Sequence, residues 1–521
     1  MTVTVATYYF NDFKIALTVL SFLSASITIL KFNLIGICTF LAIVFWSLIE
    51  VLALSYWLII KPLNISLTIE NQILGLVNFE HKLTTVISLF SSPLTIIIML
   101  TPLLKPLIKY YVKIVEHICE REEWRCESWN ITKHKTILAI SVITTIFCTL
   151  YPYLPSINPY NVSIGVDARY YVIEVEKVSK DISYIFKGYI YGSRPLILLL
   201  IYYISKISNM TITDTVKYMP LIINILLTLA TYIMVVKASG NREWAATSSL
   251  FTPIGIILSA NMYAYILANT MAIALLQISI GYLIEALNKR RITSFITSTV
   301  FAITALLTHP WVFTQYYIST TLMIIPITIT LIRTGKTNIK QNFIQIAIIL
   351  AYLTPNLILS IFKRTALSSL DLTLLATQIL NQLIKTITNP ILTIQTAINF
   401  WRDSIMAFSI YYGGCISNTY LMLLALIGAI QIIFQPENCM ETRLRDFITC
   451  LLTATLIAYP IVYDHAKLRL ILGIPVSIFA AKGYLKITKT KKLNGKLKTS
   501  IIISTPITLI NYTLRTLANL I

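Results

Sequence analysis

The chain has 521 residues, of which 56% are hydrophobic and only 12% are charged, and its mean hydropathy is +0.75. Because soluble domains carry about 25% charged residues, this composition excludes a soluble globular protein. The net charge of +20 would suit a nucleic-acid partner, but the basic residues lie in short loops beside apolar runs. That distribution is typical of cytoplasmic loops, which also attract membrane lipids, so no nucleic-acid partner is predicted.

Apolar runs of about 20 residues, the length that spans a bilayer as an α-helix, recur along the whole chain. The first three cover residues 14–31, 34–60 and 83–104. The short alternating segments of a membrane β-barrel do not occur. The sequence therefore predicts an all-α fold, a polytopic transmembrane bundle of about 13–14 membrane helices. We also expect an outer-face loop that bears short juxtamembrane helices.

Charge in the loops predicts which side of the membrane each helix end faces. Residues 105–135 hold seven Lys/Arg and should be cytoplasmic, so the next run, 136–154, leads outward. Residues 482–498 hold seven Lys and no acid, and we expect them to be cytoplasmic as well. Counting back from there predicts that His309 and the segment 464–469 lie outside.

The run 195–207 is expected not to cross the membrane. Four apolar runs separate the outer loop from Lys289, and four crossings would leave the basic residues 289–291 outside, against the charge rule. At about 13 residues this run is too short to span. We therefore predict that 155–217 forms one outer-surface element. The sequons at Asn64, Asn161 and Asn209 would also face outside.

Ionisable side chains are concentrated in the polar stretch 155–195. Here Asp167 and Arg169 stand two residues apart beside Tyr170, about a dozen residues after a membrane helix ends. A carboxylate at the membrane face can act as a general base or as a metal ligand. A solvated loop with a local ion pair is the alternative interpretation.

Candidate cations are predicted on the same side of the membrane: Arg194, His309, Lys467 and Arg469, the last two beside Asp464 and His465. Because Arg binds phosphate through two parallel hydrogen bonds, this set suits a lipid-linked phosphate that approaches from the bilayer. A structural histidine at 309 and a snorkelling arginine at 469 are the alternatives.

Five short motifs follow one another in a fixed order: Asp167-Ala-Arg-Tyr-Tyr171, Gly192-Ser-Arg-Pro-Leu196, Thr308-His-Pro310, Arg469-Leu-Ile-Leu-Gly-Ile-Pro475 and Ala480-Ala-Lys-Gly483. Their order resembles the GT-C superfamily, the membrane glycosyltransferases that use lipid-phosphate sugars, of the protein O-mannosyltransferase and aminoarabinose-transferase type. The resemblance covers about residues 136–485. Residues 1–135 are then an added membrane segment of about three helices with a basic cytoplasmic linker. Residues 486–521 are a basic cytoplasmic loop and a final membrane helix.

The resemblance implies a catalytic carboxylate in the outer loop, at Asp167, and basic residues near the lipid phosphate, at Arg194, Lys467 and Arg469. Many relatives carry a second acid in the outer turn that corresponds here to 261–269, and this turn has none. No cofactor is therefore firmly predicted, and a divalent metal remains an open alternative.

We predict a multi-pass enzyme of the plasma membrane that transfers a sugar from a polyprenyl-phosphate carrier to a glycan or protein acceptor on the external face. Asp167 is the predicted catalytic base. The other predicted site residues bind substrate: Arg169, Tyr170, Arg194, His309, Asp464, His465, Lys467 and Arg469. A flippase or transporter of lipid-linked sugars, which would need ionisable groups inside the bundle, and an inactive structural relative are the alternatives. The apolar runs hold very few such groups.

Overall fold

The structure is a computed structural model, and every regular element that it describes is helical. The described residues are 46–65, 70–88, 91–103, 131–186, 194–334, 339–362, 388, 389, 391, 395, 418–435, 439–459, 469–489 and 495–518. Within them, seven helices are long and apolar enough to cross a membrane. The predicted all-α, polytopic helical bundle is therefore confirmed.

The described helices are numbered here in chain order. The first part of the chain forms α1 (Trp46–Leu63), α2 (Glu70–Ser88), α3 (Ser91–Leu100), α4 (Ile131–Leu150), α5 (Ala168–Lys180) and α6 (Pro195–Ser208). The middle forms α7 (Ile212–Ser239), α8 (Arg242–Phe251), α9 (Ile256–Ala264), α10 (Leu267–Lys289), α11 (Ile292–Thr308), α12 (Pro310–Leu322), α13 (Ile324–Thr334) and α14 (Ile339–Phe362). The last part forms α15 (Thr419–Phe434), α16 (Cys439–Ala458), α17 (Val476–Lys489) and α18 (Gly495–Ala518).

The centre of the bundle is α10, which is buried on almost every side. A helix that is apolar all round belongs in such a position. It packs closely on α7 because Gly281 lacks a side chain: a Cβ there would lie 2.8 Å from the Cα of Met234. Thr231 of α7 also donates a 2.9 Å hydrogen bond to Gln277 of α10. Small residues and interhelical hydrogen bonds are the usual means of helix association in lipid.

A second close pair, α15 and α17, crosses through two glycines. A Cβ at Gly428 would fall far inside van der Waals contact with the carbonyl oxygen of Phe479, and one at Gly483 would meet the carbonyl oxygen of Leu424 in the same way. Both obstacles are backbone atoms, so the helices would have to separate to accept a side chain.

Gly428→Ala should therefore destabilise the protein by about 1–3 kcal/mol, the usual cost of overpacking. Thermal unfolding in detergent measures the effect. Gly75→Ala is the matched control, because a Cβ at Gly75 of α2 has no atom within 4 Å. Equal melting temperatures for the two variants would contradict the tight crossing.

The charged residues predicted to face the cytoplasm meet at one end of the bundle. The Nζ of Lys237 lies 3.1 Å from the Glu285 carboxylate, and the Nζ of Lys289 lies 3.0 Å from it. At the same end Lys482 of α17 lies 3.4 Å from Glu441 of α16. These ion pairs join helices that the loop charges placed on one side of the membrane.

Helix α6 begins and ends at the other end of the bundle, which carries Asp167 and is called the Asp167 end. At its start, Arg194 acts electrostatically on Asp167. After its last turn the chain reverses at Asn209, and the next helix is held there by Lys217, whose Nζ donates to Asn161. Both ends of this 14-residue helix thus lie at one end of the bundle, as the surface position predicted for 195–207 requires.

Four polar side chains are buried together among α1, α2 and α18, which the sequence did not predict. The Arg515 guanidinium lies 3.5 Å from the Glu80 carboxylate, and the Asn511 amide donates to Glu50. All four are at most 2% exposed. The apolar runs hold few ionisable groups, yet packing of residues far apart in sequence brings three of them together here.

Glu80→Gln should cost about 3–5 kcal/mol of stability, because it removes the carboxylate paired with a buried guanidinium. Glu50→Gln should cost no more than about 1 kcal/mol, because the new amide oxygen still accepts the hydrogen bond from Asn511. The Arg515 guanidinium keeps its partner Glu80 in this variant, so no buried charge is left unpaired. Thermal unfolding of the two variants in detergent compares them directly. A larger loss for Glu50→Gln would show that Glu50 is the charge that Arg515 requires.

Candidate active site

Asp167 is presented by a loop that docks on the connection between α9 and α10. Gly165 has φ +104°, and a Cβ there would lie 2.7 Å from Tyr265, so only glycine fits. The next amide, of Val166, donates a 3.1 Å hydrogen bond to the carbonyl of Tyr263. Asp167 is the N-cap residue of α5 and half-buried, yet its side chain makes no capping hydrogen bond. The backbone at Asp167 is thus fixed, while the carboxylate makes no hydrogen bond to the start of α5.

Arg194 and His309 occupy helix starts that proline fixes. Arg194 precedes Pro195 of α6 and is only 5% exposed. His309 separates α11 from α12, is 1% exposed, and accepts a 3.3 Å hydrogen bond on Nδ1 from the amide of Val312. Proline at the first position of a helix is favoured because its missing N–H would have no helical partner. The Arg-Pro and His-Pro pairs therefore mark where these helices begin.

Arg469 is held at the site by helix α12. Gln315 donates a 2.9 Å hydrogen bond from Nε2 to the carbonyl of Leu470, and Tyr316 donates one of the same length to the carbonyl of Gly473. A Cβ at Gly473 would collide with the Gln315 side chain. Neither Gln315 nor Tyr316 was predicted from the sequence; the available signal was a pair of polar side chains inside an apolar run, soon after the His-Pro pair.

Four of the residues singled out in the sequence come together at the Asp167 end. The guanidiniums of Arg194 and Arg469 act electrostatically on the Asp167 carboxylate and on the His309 imidazole. Burial raises the pKa of Asp167 above its usual value, and the two guanidiniums oppose this shift. The result is a carboxylate that is easier to protonate than an exposed one and on which two positive charges act.

His309 is a neutral donor and not a cation. Burial, together with the charges of Arg194 and Arg469, holds the pKa of His309 well below its usual range. Because Nδ1 accepts from Val312, the ring proton lies on Nε2. The expectation that His309 adds positive charge for an anionic group is therefore wrong; the imidazole can instead donate one hydrogen bond.

The other predicted site residues fall into two groups. Arg169 and Tyr170 are exposed and pair with each other, with a 3.3 Å hydrogen bond from the guanidinium to the phenol oxygen. Neither is among the groups that act on Asp167. Asp464, His465 and Lys467 lie outside the described residues. For both groups a role in substrate binding stays a prediction.

Among the described residues Asp167 has no partner ligands for a divalent metal, and a metal there stays an open alternative. Such cations prefer several oxygen ligands. In the described part of the chain, no three His, Cys, Asp or Glu side chains are grouped so that they could hold a metal ion. The charged groups that act on Asp167 are guanidiniums, which would repel a cation.

The fold and this site define a multi-pass helical membrane protein with a carboxylate and two arginines at one end of its bundle. No protein-family model matches the chain, and no curated protein sequence matches it. Among solved structures it is similar to the Archaeoglobus fulgidus oligosaccharyltransferase in the apo form, with a TM-score of 0.45 and 12% identity over 76% of this chain and 56% of that one.

A second similar structure is the archaeal oligosaccharyltransferase AglB from Archaeoglobus fulgidus in complex with an inhibitory peptide and a dolichol-phosphate. The TM-score is 0.41 and the identity 11%, over 74% of this chain and 55% of that one. The chain thus spans just over half the length of each structure that it resembles.

Proposed function

We propose that this protein is a membrane glycosyltransferase that moves a sugar from a polyprenyl-phosphate carrier to an acceptor hydroxyl at the external face of the plasma membrane. A half-buried carboxylate on which two guanidiniums act, at one end of a membrane bundle, is the observation that supports the proposal best. The acceptor belongs to a glycan or a protein, and membrane lipids surround the carrier.

In this reaction Asp167 takes the proton of the acceptor hydroxyl as its oxygen attacks the anomeric carbon. The bond from that carbon to the phosphate oxygen breaks, and the carrier phosphate leaves with the electron pair. Arg194 and Arg469 stabilise the negative charge that grows on the phosphate, which is where preorganised donors lower a barrier most. His309, a neutral donor, can hydrogen-bond the substrate without competing for the proton.

The pH dependence of transfer should report on Asp167. Only the ionised carboxylate is a base, and its pKa is raised, so kcat/KM should fall as the pH drops through a value above the usual 3.9 or so of an aspartate. Initial rates between about pH 3.5 and 8 locate this acid limb. A limb at or below the ordinary aspartate value would argue against Asp167 as the base.

Purified protein in lipid nanodiscs, given a radiolabelled polyprenyl-phosphate sugar and a hydroxyl acceptor, tests the proposal. We expect labelled acceptor and free carrier phosphate to appear in equal amounts. Carrier that stays intact with every acceptor supplied would refute the enzyme.

A transporter or flippase of lipid-linked sugars is the second candidate, and the buried carboxylates Glu50 and Glu80 favour it. Ionisable groups inside a membrane bundle commonly mark a transport pathway. In sealed vesicles such a protein would move the labelled carrier between leaflets without breaking it. The same labelled carrier therefore distinguishes the two candidates. An inactive relative would neither cleave the carrier nor move it between leaflets.

A further inference from the structure

Three asparagines followed by the N-x-S/T pattern share one backbone conformation and one location. Asn64, Asn161 and Asn209 have φ of 51°, 52° and 53°, and each is exposed in a tight turn. Two of them cap helices: Asn64 ends α1 and Asn209 ends α6. Asparagine tolerates this left-handed backbone conformation well. All three side chains are therefore presented from similar turns at the protein surface.

Side-chain contacts place these turns together at the Asp167 end. The hydroxyl of Ser156 donates a 2.7 Å hydrogen bond to the carbonyl of Pro62, which joins the interhelical loop to the turn at Asn64. Lys217 of α7 donates to Asn161 in the same loop. Asn209 lies in the turn that leads into α7. All three asparagines are therefore on the face that carries the candidate active site.

The side-chain amides of these asparagines are available for reaction. Within the described residues, the Asn64 and Asn209 side chains make no hydrogen bond, and Asn161 accepts from Lys217 only through oxygen atoms. In each case the Nδ2, the atom that carries an N-linked sugar, keeps its protons free.

Two further N-x-S/T segments in the chain serve as internal controls. Asn511, in Asn511-Tyr-Thr513, is fully buried inside α18, and its amide donates to Glu50. Asn130, in Asn130-Ile-Thr132, lies outside the described residues. It belongs to the segment 105–135, which loop charge predicts to be cytoplasmic.

We propose that N-linked oligosaccharides are attached to this chain at the Asp167 end, on Asn64, Asn161 and Asn209, and neither on Asn130 nor on Asn511. The co-reactant is an oligosaccharide on a polyprenyl-phosphate or -diphosphate carrier, supplied to a cellular oligosaccharyltransferase. The asparagine Nδ2 bonds to the anomeric carbon, the bond from that carbon to the carrier phosphate breaks, and the amide proton passes to a base of that enzyme. This modification is independent of the activity proposed for the chain itself.

Glycopeptide mass spectrometry of the full chain tests the proposal, after expression in a host whose membranes carry an oligosaccharyltransferase. We expect glycan on Asn64, Asn161 and Asn209, with unmodified peptides covering Asn130 and Asn511. Asn209→Asp should lose the glycan while keeping a residue that tolerates the turn, and Thr211→Ser should retain it because the sequon is intact. Absence of glycan from any of Asn64, Asn161 and Asn209, or glycan on Asn130 or Asn511, would overturn the proposal.

A cysteine in place of Asn209, treated in intact cells with a membrane-impermeant maleimide, separates the causes of a negative result. Labelling from outside without glycan on the wild-type chain would reject the modification alone. Labelling only after the membrane is opened would reject both the modification and the external position of the candidate active site.

Discussion

Replacement of Asp167 by Asn is expected to abolish sugar transfer while the protein still inserts and folds. The amide keeps the size of the carboxylate but cannot accept the acceptor proton, and loss of a general base lowers the rate by about 10²–10⁴-fold. The variant should fold because the Asp167 side chain makes no capping hydrogen bond to α5. Initial rates with labelled carrier and thermal unfolding in detergent measure the two effects.

Asp181→Asn is the matched control. Asp181 ends the same helix, α5, and is exposed, with its carboxylate hydrogen-bonded to Ser183. The Asp181→Asn substitution makes the same change of charge as Asp167→Asn, but at the opposite end of the 13-residue helix α5. Its transfer rate should stay within about twofold of wild type, which corresponds to less than about 0.5 kcal/mol. Equal losses in the two variants would point to net charge and not to a base at 167.

The polarity pattern predicted the fold class, and loop charge predicted which helix ends lie together at one end of the bundle. Both predictions depend on local sequence. An apolar run must be a helix in lipid, and the Arg-Pro and His-Pro pairs mark helix starts wherever they occur. Once the number of crossings was set by loop charge, Arg194 and His309 had to lie at the same end as Asp167. The electrostatic action of both arginines on Asp167 agrees with that expectation.

What the sequence could not predict depends on contacts between distant residues. Arg515 and Glu80 are separated by most of the chain, so their pairing is set by the packing of α18 against the early helices. The neutral state of His309 follows from its burial and from the charges of the two arginines that act on it, which no local pattern reveals. The hydrogen bond from Gln315 to the carbonyl of Leu470, the residue after Arg469, likewise depends on segments far apart in sequence.

Replacement of Arg469 by Ala should lower kcat by about 10²–10³-fold, the usual cost of removing one donor from a developing anion. Arg469→Lys should recover part of this loss, because lysine keeps the charge but cannot bind phosphate through two parallel hydrogen bonds. Arg242→Ala is the control, since Arg242 is an exposed arginine at the start of α8, at the opposite end of the bundle.

The same variant should also move the pH profile, and this second readout separates a site residue from a membrane anchor. The Arg469 guanidinium lowers the pKa of Asp167, so its removal raises that pKa further. The acid limb of kcat/KM should then shift to higher pH in Arg469→Ala and stay in place in Arg242→Ala. A snorkelling arginine would affect insertion or stability and leave the limb where it was, because it would not act on the carboxylate. A lowered kcat with an unshifted limb would therefore remove Arg469 from the neighbourhood of Asp167 and with it the paired-guanidinium site.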